Sequence, residues 1–283
     1  MTNNTVFSVY NETKKRLEAA GVEDFGFEAR VIMRHITGFD NKKIMLNYNT
    51  PLSPHQLRRL EDIINRRKAR YPLQYILGEW SFYGFEFKVG EGVLIPRSDS
   101  ETVVDTALEL IKDIENPKVL DLCAGSGALG IAIAANRKDS FVTLLEKYDE
   151  AAKYLKANVE LNAPSNAEYI KGDVLSGDGR ESKFDLIVSN PPYIPAGDLK
   201  GLQPEVLYEP KSALDGGGDG LRFYRAITEN YRDSLMPGGK LCFETGINEA
   251  KSVKEILEKS GFENIRIRKD LNEIERVVFG TVK

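Results

Sequence analysis

The spacing of apolar residues changes once along the chain, from a helical period to a succession of strands and helices. In the first part, apolar residues recur every three or four positions, as at Leu57, Leu60 and Ile64. This stripe follows Ser53-Pro54, a hydroxyl cap with proline in the first helical turn. The pattern predicts a small helical domain over residues 1–75.

A short stretch of alternating residues follows the helical part. Apolar and polar residues alternate on either side of Gly84, which predicts a hairpin within a linker of residues 76–98. Ser98 and Glu101 stand three positions apart before the next apolar run. That spacing predicts a capping box at the start of a helix.

Strands and helices alternate from Lys118 onwards, which predicts an α/β domain over residues 99–283. We expect a mostly parallel sheet of the Rossmann-like kind, covered by helices on both faces, with the last two strands forming an antiparallel edge. The predicted strands are 118–122, 141–145, 167–170, 184–189, 240–244, 265–269 and 276–281; the predicted helices are 127–136, 150–162, 221–235 and 248–260.

The Asn190-Pro191-Pro192-Tyr193 segment ends one of the most apolar strands, residues 184–188. Two prolines cannot donate to a strand ladder, so the strand must stop there. Ligands of open α/β sheets bind at the carboxyl ends of the strands. The segment is therefore a candidate ligand-binding site, and the Asn190 side chain places an amide group at the end of the strand.

A glycine-rich turn follows the first strand of this domain. Gly125, Gly127 and Gly130 match the dinucleotide fingerprint, which by itself is weak evidence. Asp121 at the strand end favours a ligand that carries an ammonium or sulfonium group over a pyrophosphate. S-adenosylmethionine carries both an ammonium and a sulfonium group. The candidate cofactor-binding residues of this turn are Asp121, Cys123, Ala124, Gly125, Ser126 and Gly127.

Acidic residues also end the next two strands. Glu146 stands where an acid can accept hydrogen bonds from both ribose hydroxyls. Asp173 could accept from an adenine amino group, with Val174 beside the ring, although Gly-Asp is also ordinary turn chemistry. Each of these features is weak evidence for a cofactor site by itself. Their succession after neighbouring strands is more specific: an acid, a glycine turn, an acid suited to ribose, and Asn-Pro-Pro-Tyr.

The chemistry that suits this turn is alkylation of a planar nitrogen. The lone pair of an amide or base nitrogen is delocalised, so the nitrogen is a poor nucleophile. Asn190 Oδ1 and the Pro191 carbonyl could each accept one N–H and orient the nitrogen, and both hydrogen bonds would strengthen as the nitrogen becomes more acidic. Tyr193 could supply a flat wall for the planar group. Asn190, Pro191 and Tyr193 are thus the candidate catalytic residues, and Pro192 joins them in the candidate substrate site. Asn190 is also a candidate cofactor-binding residue.

Composition narrows the classes of function. The chain has 283 residues with a net charge of −4, which argues against broad binding to nucleic acid. Two cysteines and two histidines predict neither a disulfide framework nor a metal site. No apolar run approaches membrane-spanning length, and residues 1–4 do not begin a signal segment, so we expect a cytoplasmic protein.

One helix of the first domain is strongly basic. Two interpretations remain open for this face: a solvated helix surface, or a docking surface for an acidic or RNA-bound partner. Its basic residues are Arg58, Arg59, Arg66, Arg67, Lys68 and Arg70.

Nearly the whole chain resembles the PrmC/HemK glutamine N(5)-methyltransferases, a family of class I S-adenosylmethionine-dependent enzymes that modify peptide chain release factors. Two departures are Cys123, where many relatives have glycine, and Val174, where an aromatic residue often flanks the cofactor. The resemblance is carried by the helical N-terminal region and by Tyr75–Gly78, Ile95–Arg97, Asn190–Ile194, Glu209-Pro210, Ala213-Leu214, Gly220-Leu221, Pro237–Gly239, Glu244–Gly246, Asp270 and Arg276–Val278.

The resemblance implies a function and roles for the site. It implies that residues 121–127 and Glu146 bind S-adenosylmethionine, and that residues 190–193 hold the glutamine of the Gly-Gly-Gln motif in bacterial release factors. It also implies a substrate-recognition role for the helical domain. From the net charge and the lack of long apolar runs, we expect no direct, specific nucleic-acid binding and no membrane partner.

Other functions remain as alternatives. An N6-adenine methyltransferase for DNA or RNA would use the same turn, and a ribosomal-protein glutamine methyltransferase would differ only in its recognition domain. A nicotinamide dehydrogenase is disfavoured by Asp121. A non-catalytic scaffold is disfavoured because Asn190 and Asp121 are both present.

Overall fold

The computed structural model describes residues 4–163 and 165–283, and these form two compact units. The first unit runs to Gly78 and includes Gln203–Tyr208, and the second contains Glu79–Leu202 and Glu209–Lys283. The hairpin therefore packs with the second unit. The short segment 203–208, which the sequence placed in the α/β domain, packs with the first. The first three residues, on which the expectation about a signal segment rests, lie outside the described residues.

The first unit is helical, as predicted. Ser53 Oγ accepts the Gln56 backbone N–H, and the Gln56 side chain accepts the Ser53 N–H, so α4 starts with a complete capping box. The helices bury one apolar cluster that includes Leu60 and Ile64. The helices are α1 (Val6–Ala19), α2 (Phe25–Thr37), α3 (Asn41–Leu46), α4 (Pro54–Lys68) and α5 (Leu73–Leu77).

The basic face of α4 is only partly a solvated surface. Arg67 is 1% exposed, and its guanidinium donates to Glu28 at 2.8 and 3.0 Å and to Glu205 at 3.1 Å. Arg70 donates to the same Glu205 carboxylate at 2.6 and 2.8 Å. The assignment of Arg67 to a solvated or docking face was therefore wrong. A buried guanidinium needs anionic partners, and the segment 203–208 supplies one.

The second unit contains the predicted sheet. Its strand order is β5-β4-β3-β6-β7-β9-β8, in which β3 to β7 are parallel neighbours and β9 pairs antiparallel with β7 and β8. The strands are β3 (Lys118–Leu122), β4 (Phe141–Glu146), β5 (Ala167–Lys171), β6 (Phe184–Ser189), β7 (Leu235–Glu244), β8 (Glu263–Lys269) and β9 (Glu275–Thr281), and a separate hairpin joins β1 (Glu79–Phe82) to β2 (Phe85–Lys88).

Helices cover both faces of this sheet. Alternate strand residues point to opposite faces, so Val119 packs into one apolar cluster and Leu120 into the other. The first cluster includes residues of α6, α7 and α8, and the second includes residues of α9 and α10. The helices are α6 (Glu101–Leu110), α7 (Ala128–Asn136), α8 (Asp149–Asn162), α9 (Arg222–Tyr231) and α10 (Ala250–Lys259).

Two local predictions were wrong. Ser98 and Glu101 form no capping box, because Ser98–Ser100 is a 3₁₀ turn and the Glu101 carboxylate accepts the Tyr83 backbone N–H of the hairpin at 2.8 Å. The helix predicted to reach residue 235 ends at Tyr231, and Leu235 already begins β7. In both places a tertiary contact or a strand pairing replaced the local pattern.

Candidate active site

The carboxyl ends of the parallel strands β3, β4 and β6, with the loop after β5, surround a cavity of about 330 Å³. Asp121, Glu146, Asp173 and Asn190 all line it. The structure therefore brings together the four polar residues that the sequence placed after successive strands. Parallel strands end at the same edge of a sheet, which is why residues distant in sequence meet here.

Asp121 is an almost fully buried acid beside this cavity. Its Oδ2 accepts the backbone N–H of Gly130 at 2.9 Å, and burial, with a smaller contribution from Glu146, raises its pKa to about 7. A Cβ on Gly130 would lie 2.9 Å from that oxygen, so only glycine permits this approach of α7 to β3. A bound cation would favour the ionised carboxylate.

The turn between β3 and α7 uses left-handed backbone at three positions. Gly125 and Gly127 have φ values of 57° and 82°, and Cys123 adopts 60° without being glycine. The Ala124 N–H donates to the Leu145 carbonyl at 3.0 Å, which ties the turn to β4. Because a Cβ makes left-handed backbone costly, Cys123 holds a conformation that a glycine would adopt with less strain.

Glu146 fixes the turn as well as lining the cavity. Its Oε2 accepts the Gly125 N–H at 2.9 Å, and its Oε1 accepts the Tyr148 N–H at 2.8 Å. Burial raises its pKa, although these backbone donors oppose the shift. Each carboxylate oxygen can accept a second hydrogen bond, so ribose hydroxyls remain suitable partners.

Asp173 is engaged by the protein itself. Its Oδ1 accepts the Leu175 N–H at 2.9 Å and its Oδ2 pairs with Lys147 Nζ at 2.8 Å. Partial burial alone would raise its pKa, but Lys147 and the Leu175 N–H bring it below the ordinary value. Val174 is buried and lines the cavity beside it. Contact of Asp173 with an adenine amino group therefore stays a prediction.

The Asn-Pro-Pro-Tyr segment leaves β6 at the mouth of the cavity. Within the described residues, the lining includes Asn190 and Pro192 but neither Pro191 nor Tyr193. The Tyr193 ring instead packs against the apolar cluster that includes residues of α9 and α10, and burial raises the pKa of its hydroxyl. Its role as a flat wall for the substrate stays a prediction.

The glycine-rich stretch of residues 216–220 packs against this segment. The Ile194 N–H donates to the Leu214 carbonyl, and the Ile194 carbonyl accepts the Gly216 N–H, each at 2.9 Å. A Cβ on Gly216 would lie 2.7 Å from the Tyr193 Cα, and one on Gly220 would lie 2.4 Å from the Tyr193 carbonyl oxygen. The glycines thus permit close backbone approach rather than motion.

Comparison with known proteins identifies the family. Residues 8–78 match the PrmC N-terminal domain and residues 100–224 match the Methyltransferase small domain. The release factor glutamine methyltransferase of Fusobacterium nucleatum is 37% identical over 95% of this chain and 77% of its own length. That of Geobacter sulfurreducens is 38% identical, over 98% of this chain and 97% of its own. The chain belongs to the release factor glutamine methyltransferase family.

A solved structure supports the fold of this family member. The methyltransferase from Pyrococcus furiosus is 20% identical, covers 81% of this chain and 98% of its own, and has a TM-score of 0.51. This likeness concerns the fold alone, and it agrees with the class I methyltransferase sheet predicted from the sequence.

Several residues that line the cavity of this family member were not identified as candidates from its sequence. Phe223 from α9 lines the cavity, as does Ser100 from the turn before α6. Arg97 lines the cavity and also pairs with the buried Glu209. Glu209 also accepts the Ile95 N–H at 2.9 Å. No local pattern marks these residues, because they reach the cavity from distant segments.

The sequence predicted neither a metal site nor a membrane-spanning segment, and the structure can be examined for both only in the residues that it describes. Over residues 4–163 and 165–283, no group of His, Cys, Asp or Glu side chains is arranged to hold a metal ion. In the same residues, none of the helices has the length and apolar character needed to cross a bilayer.

Proposed function

We propose that this protein transfers a methyl group from S-adenosylmethionine to the side-chain amide nitrogen of the glutamine in the Gly-Gly-Gln motif of bacterial peptide chain release factors. The observation that carries the proposal is the position of Asn190, at the same cavity as the buried acids Asp121 and Glu146. The names of the relatives from Fusobacterium nucleatum and Geobacter sulfurreducens support a release factor as substrate.

The residues around the cavity fit S-adenosylmethionine. A cavity of about 330 Å³ falls in the range of small-molecule sites. Asp121 suits the cationic end of the molecule, Glu146 suits the ribose hydroxyls, and Val174 and Phe223 offer apolar surface for the adenine. When bound, S-adenosylmethionine supplies an electrophilic methyl group whose C–S bond breaks as the new C–N bond forms, leaving S-adenosylhomocysteine.

Asn190 and Pro191 act on the glutamine nitrogen. Asn190 Oδ1 and the Pro191 carbonyl accept the two N–H groups, which holds the nitrogen with its lone pair toward the methyl group. Both hydrogen bonds strengthen as positive charge develops on the nitrogen, so the pair stabilises the transition state more than the bound substrate. The nitrogen then releases one proton to solvent and regains amide resonance.

The test uses one methyl donor and three acceptors. The protein is incubated with methyl-labelled S-adenosylmethionine and, separately, a bacterial release factor, its Gly-Gly-Ala variant and duplex DNA. We expect label on the unmodified release factor alone. Label on DNA, or equal label on the two forms of the release factor, would refute the proposed function.

The cellular location follows from the same proposal. Release factors work on ribosomes, so an enzyme that modifies them operates in the cytoplasm. The net charge of −4 agrees with a protein substrate rather than non-specific nucleic-acid binding. Fractionation of cells that produce the protein should recover it with the soluble fraction.

A further inference from the structure

Glu244 is a buried acid that the mechanism above does not use. It ends β7 next to β6, whose Ser189 pairs with Phe243, so Glu244 and Asn190 leave the sheet side by side. Its side chain is 2% exposed, and Oε2 has no hydrogen-bond partner in the described residues. An incompletely paired carboxyl group in such a place costs free energy, so its retention beside the site needs an explanation.

Ser100 lies between this acid and Asn190. The Ser100 side chain is buried and lines the cavity, and it adjoins the Glu244 carboxyl group closely enough to lower the pKa of that acid. Its Oγ also accepts from Asn190 Nδ2 at 3.4 Å. A serine hydroxyl has one proton, and the carboxylate is the stronger acceptor, so Ser100 presents only lone pairs to Asn190.

This arrangement determines which end of the Asn190 amide faces the cavity. A side-chain amide has a donor end and an acceptor end of nearly the same shape. Because Ser100 accepts a hydrogen bond, it holds the Nδ2 end, and Oδ1 lies at the opposite end of the amide. The reverse orientation would place an N–H donor against the N–H groups of the substrate nitrogen.

We propose that Ser100 and Glu244 are positioning residues that fix the Asn190 amide with Oδ1 toward the substrate nitrogen. The inference rests on the proposed function, because only a nitrogen that donates N–H requires an acceptor at this place. The relay runs from the Glu244 carboxylate through the Ser100 hydroxyl to Asn190 Nδ2, and its last member alone touches the substrate.

Other charged groups near Ser100 and Glu244 affect the ionisation of the Glu244 carboxyl group. Burial raises the pKa of Glu244 to about 7, while the hydrogen bond from Ser100 opposes that shift. Arg276 from β9 and Arg97 favour the ionised form and Asp99 disfavours it, while the charge of Glu244 adds to the raised pKa of the Tyr193 hydroxyl. Glu244 combines the approach to Ser100 with a pKa raised to about 7, so its protonation state is the one that bears on Asn190.

The first experiment compares Ser100→Ala with Ser100→Thr. We expect Ser100→Ala to lower kcat about 10- to 100-fold, the usual effect of losing an orienting partner, with the Kd for S-adenosylhomocysteine nearly unchanged. Ser100→Thr keeps the hydroxyl and should recover most of kcat. The matched control is Ser98→Ala, an exposed serine of the same turn, which should behave as wild type. A Ser100→Ala enzyme with wild-type kcat would overturn the proposal.

The second experiment follows kcat against pH with saturating S-adenosylmethionine. Protonated Glu244 can donate to Ser100, which frees the hydroxyl proton to compete for Asn190, so kcat should fall as pH drops through about 7. Glu244→Gln is neutral at every pH, and its amide has both an acceptor and a donor for Ser100. It should therefore lack this acidic limb. An unchanged limb in Glu244→Gln would refute the role of Glu244.

A third readout needs no protein substrate. The side-chain amide protons of Asn190, assigned by their disappearance in Asn190→Asp, are observed by ¹⁵N NMR of the intact chain. We expect their shifts and solvent exchange to change in Ser100→Ala and not in Ser98→Ala. If the signals respond but wild type does not label the release factor, the proposed function fails while the positioning stands. Signals that do not respond would refute the positioning itself.

Discussion

Asp121 connects the protonation state of a single residue to occupation of the cavity. Burial raises its pKa to about 7, so near neutral pH the empty site holds a mixture of neutral and ionised carboxyl groups. A ligand with ammonium and sulfonium charges binds the ionised form better. Binding therefore releases a proton when the pH lies below the pKa of the empty site.

The pH dependence of cofactor affinity follows with its sign. Below about pH 7, each unit rise in pH should tighten the Kd for S-adenosylmethionine by up to about tenfold, and the dependence should level off above it. Calorimetric titrations between about pH 5.5 and about pH 8.5 measure this. Asp121→Asn should bind weakly and lose most of the dependence. A wild-type Kd that stays flat over the range would contradict the assignment of Asp121 to the cationic ligand.

Asn190 is expected to affect turnover rather than cofactor binding. Asn190→Ala removes one of the two acceptors for the substrate nitrogen and should lower kcat by at least about 100-fold. The Kd for S-adenosylhomocysteine should change by less than about threefold, since the acids and the glycine turn stay in place. Asn136→Ala, an exposed asparagine on α7, is the matched control. A large loss of cofactor affinity in Asn190→Ala would give this residue a different role.

At the scale of elements, strand ends and close backbone contacts build the site. The turn after β3, the Glu146 end of β4 and the Asn-Pro-Pro-Tyr segment after β6 are held by backbone hydrogen bonds and by glycines that admit a neighbouring chain. The glycine run 216–220 is the clearest case, because it supports the segment that carries Asn190.

Gly216→Ala tests this support. The new Cβ would lie 2.6–2.7 Å from the Gly220 carbonyl oxygen and from backbone atoms of Tyr193, so the segment must shift. We expect a kcat at least about tenfold lower, as small misplacements of reacting groups are costly. Gly218→Ala is the control, since a Cβ there meets no atom within 4 Å. Equal kcat for the two variants would contradict a supporting role for the run.

At the scale of the whole molecule, the chain crosses from one unit to the other and back. The segment Gln203–Tyr208 belongs to the first unit, although it lies between β6 and α9 in the sequence. Its Glu205 is shared by Arg67 and Arg70. Two arginines that the sequence assigned to a basic surface are thus used to hold this segment.

Glu205→Ala should destabilise the first unit. Arg67 is 1% exposed and would keep only Glu28 as its carboxylate partner, so we expect a loss of about 1–3 kcal/mol. Amide hydrogen exchange of α1, α2 and α4 measures this unit by itself. Glu18→Ala, an exposed glutamate on α1, is the matched control. Unchanged exchange in Glu205→Ala would show that the shared carboxylate contributes little.

The sequence by itself determined that strands and helices alternate along the chain to form a mostly parallel sheet, and which polar residues follow successive strands. Periodicity and breakers are local signals, and parallel strands must place their carboxyl ends on one edge. Asp121, Glu146 and Asn190 were therefore identifiable before any coordinates, and the structure places all three at one cavity.

Only the tertiary structure decided which neighbours complete the site. Ser100 and Glu244 are separated by more than half the chain, and Ser98 with Glu101 gave a misleading local pattern nearby. Glu101 is taken by the hairpin, and Ser100 turns to Asn190 and Glu244. The partner of each of these side chains depends on which buried donors and acceptors are still unpaired after the strands have formed. Local sequence does not show this, because the partners come from distant segments.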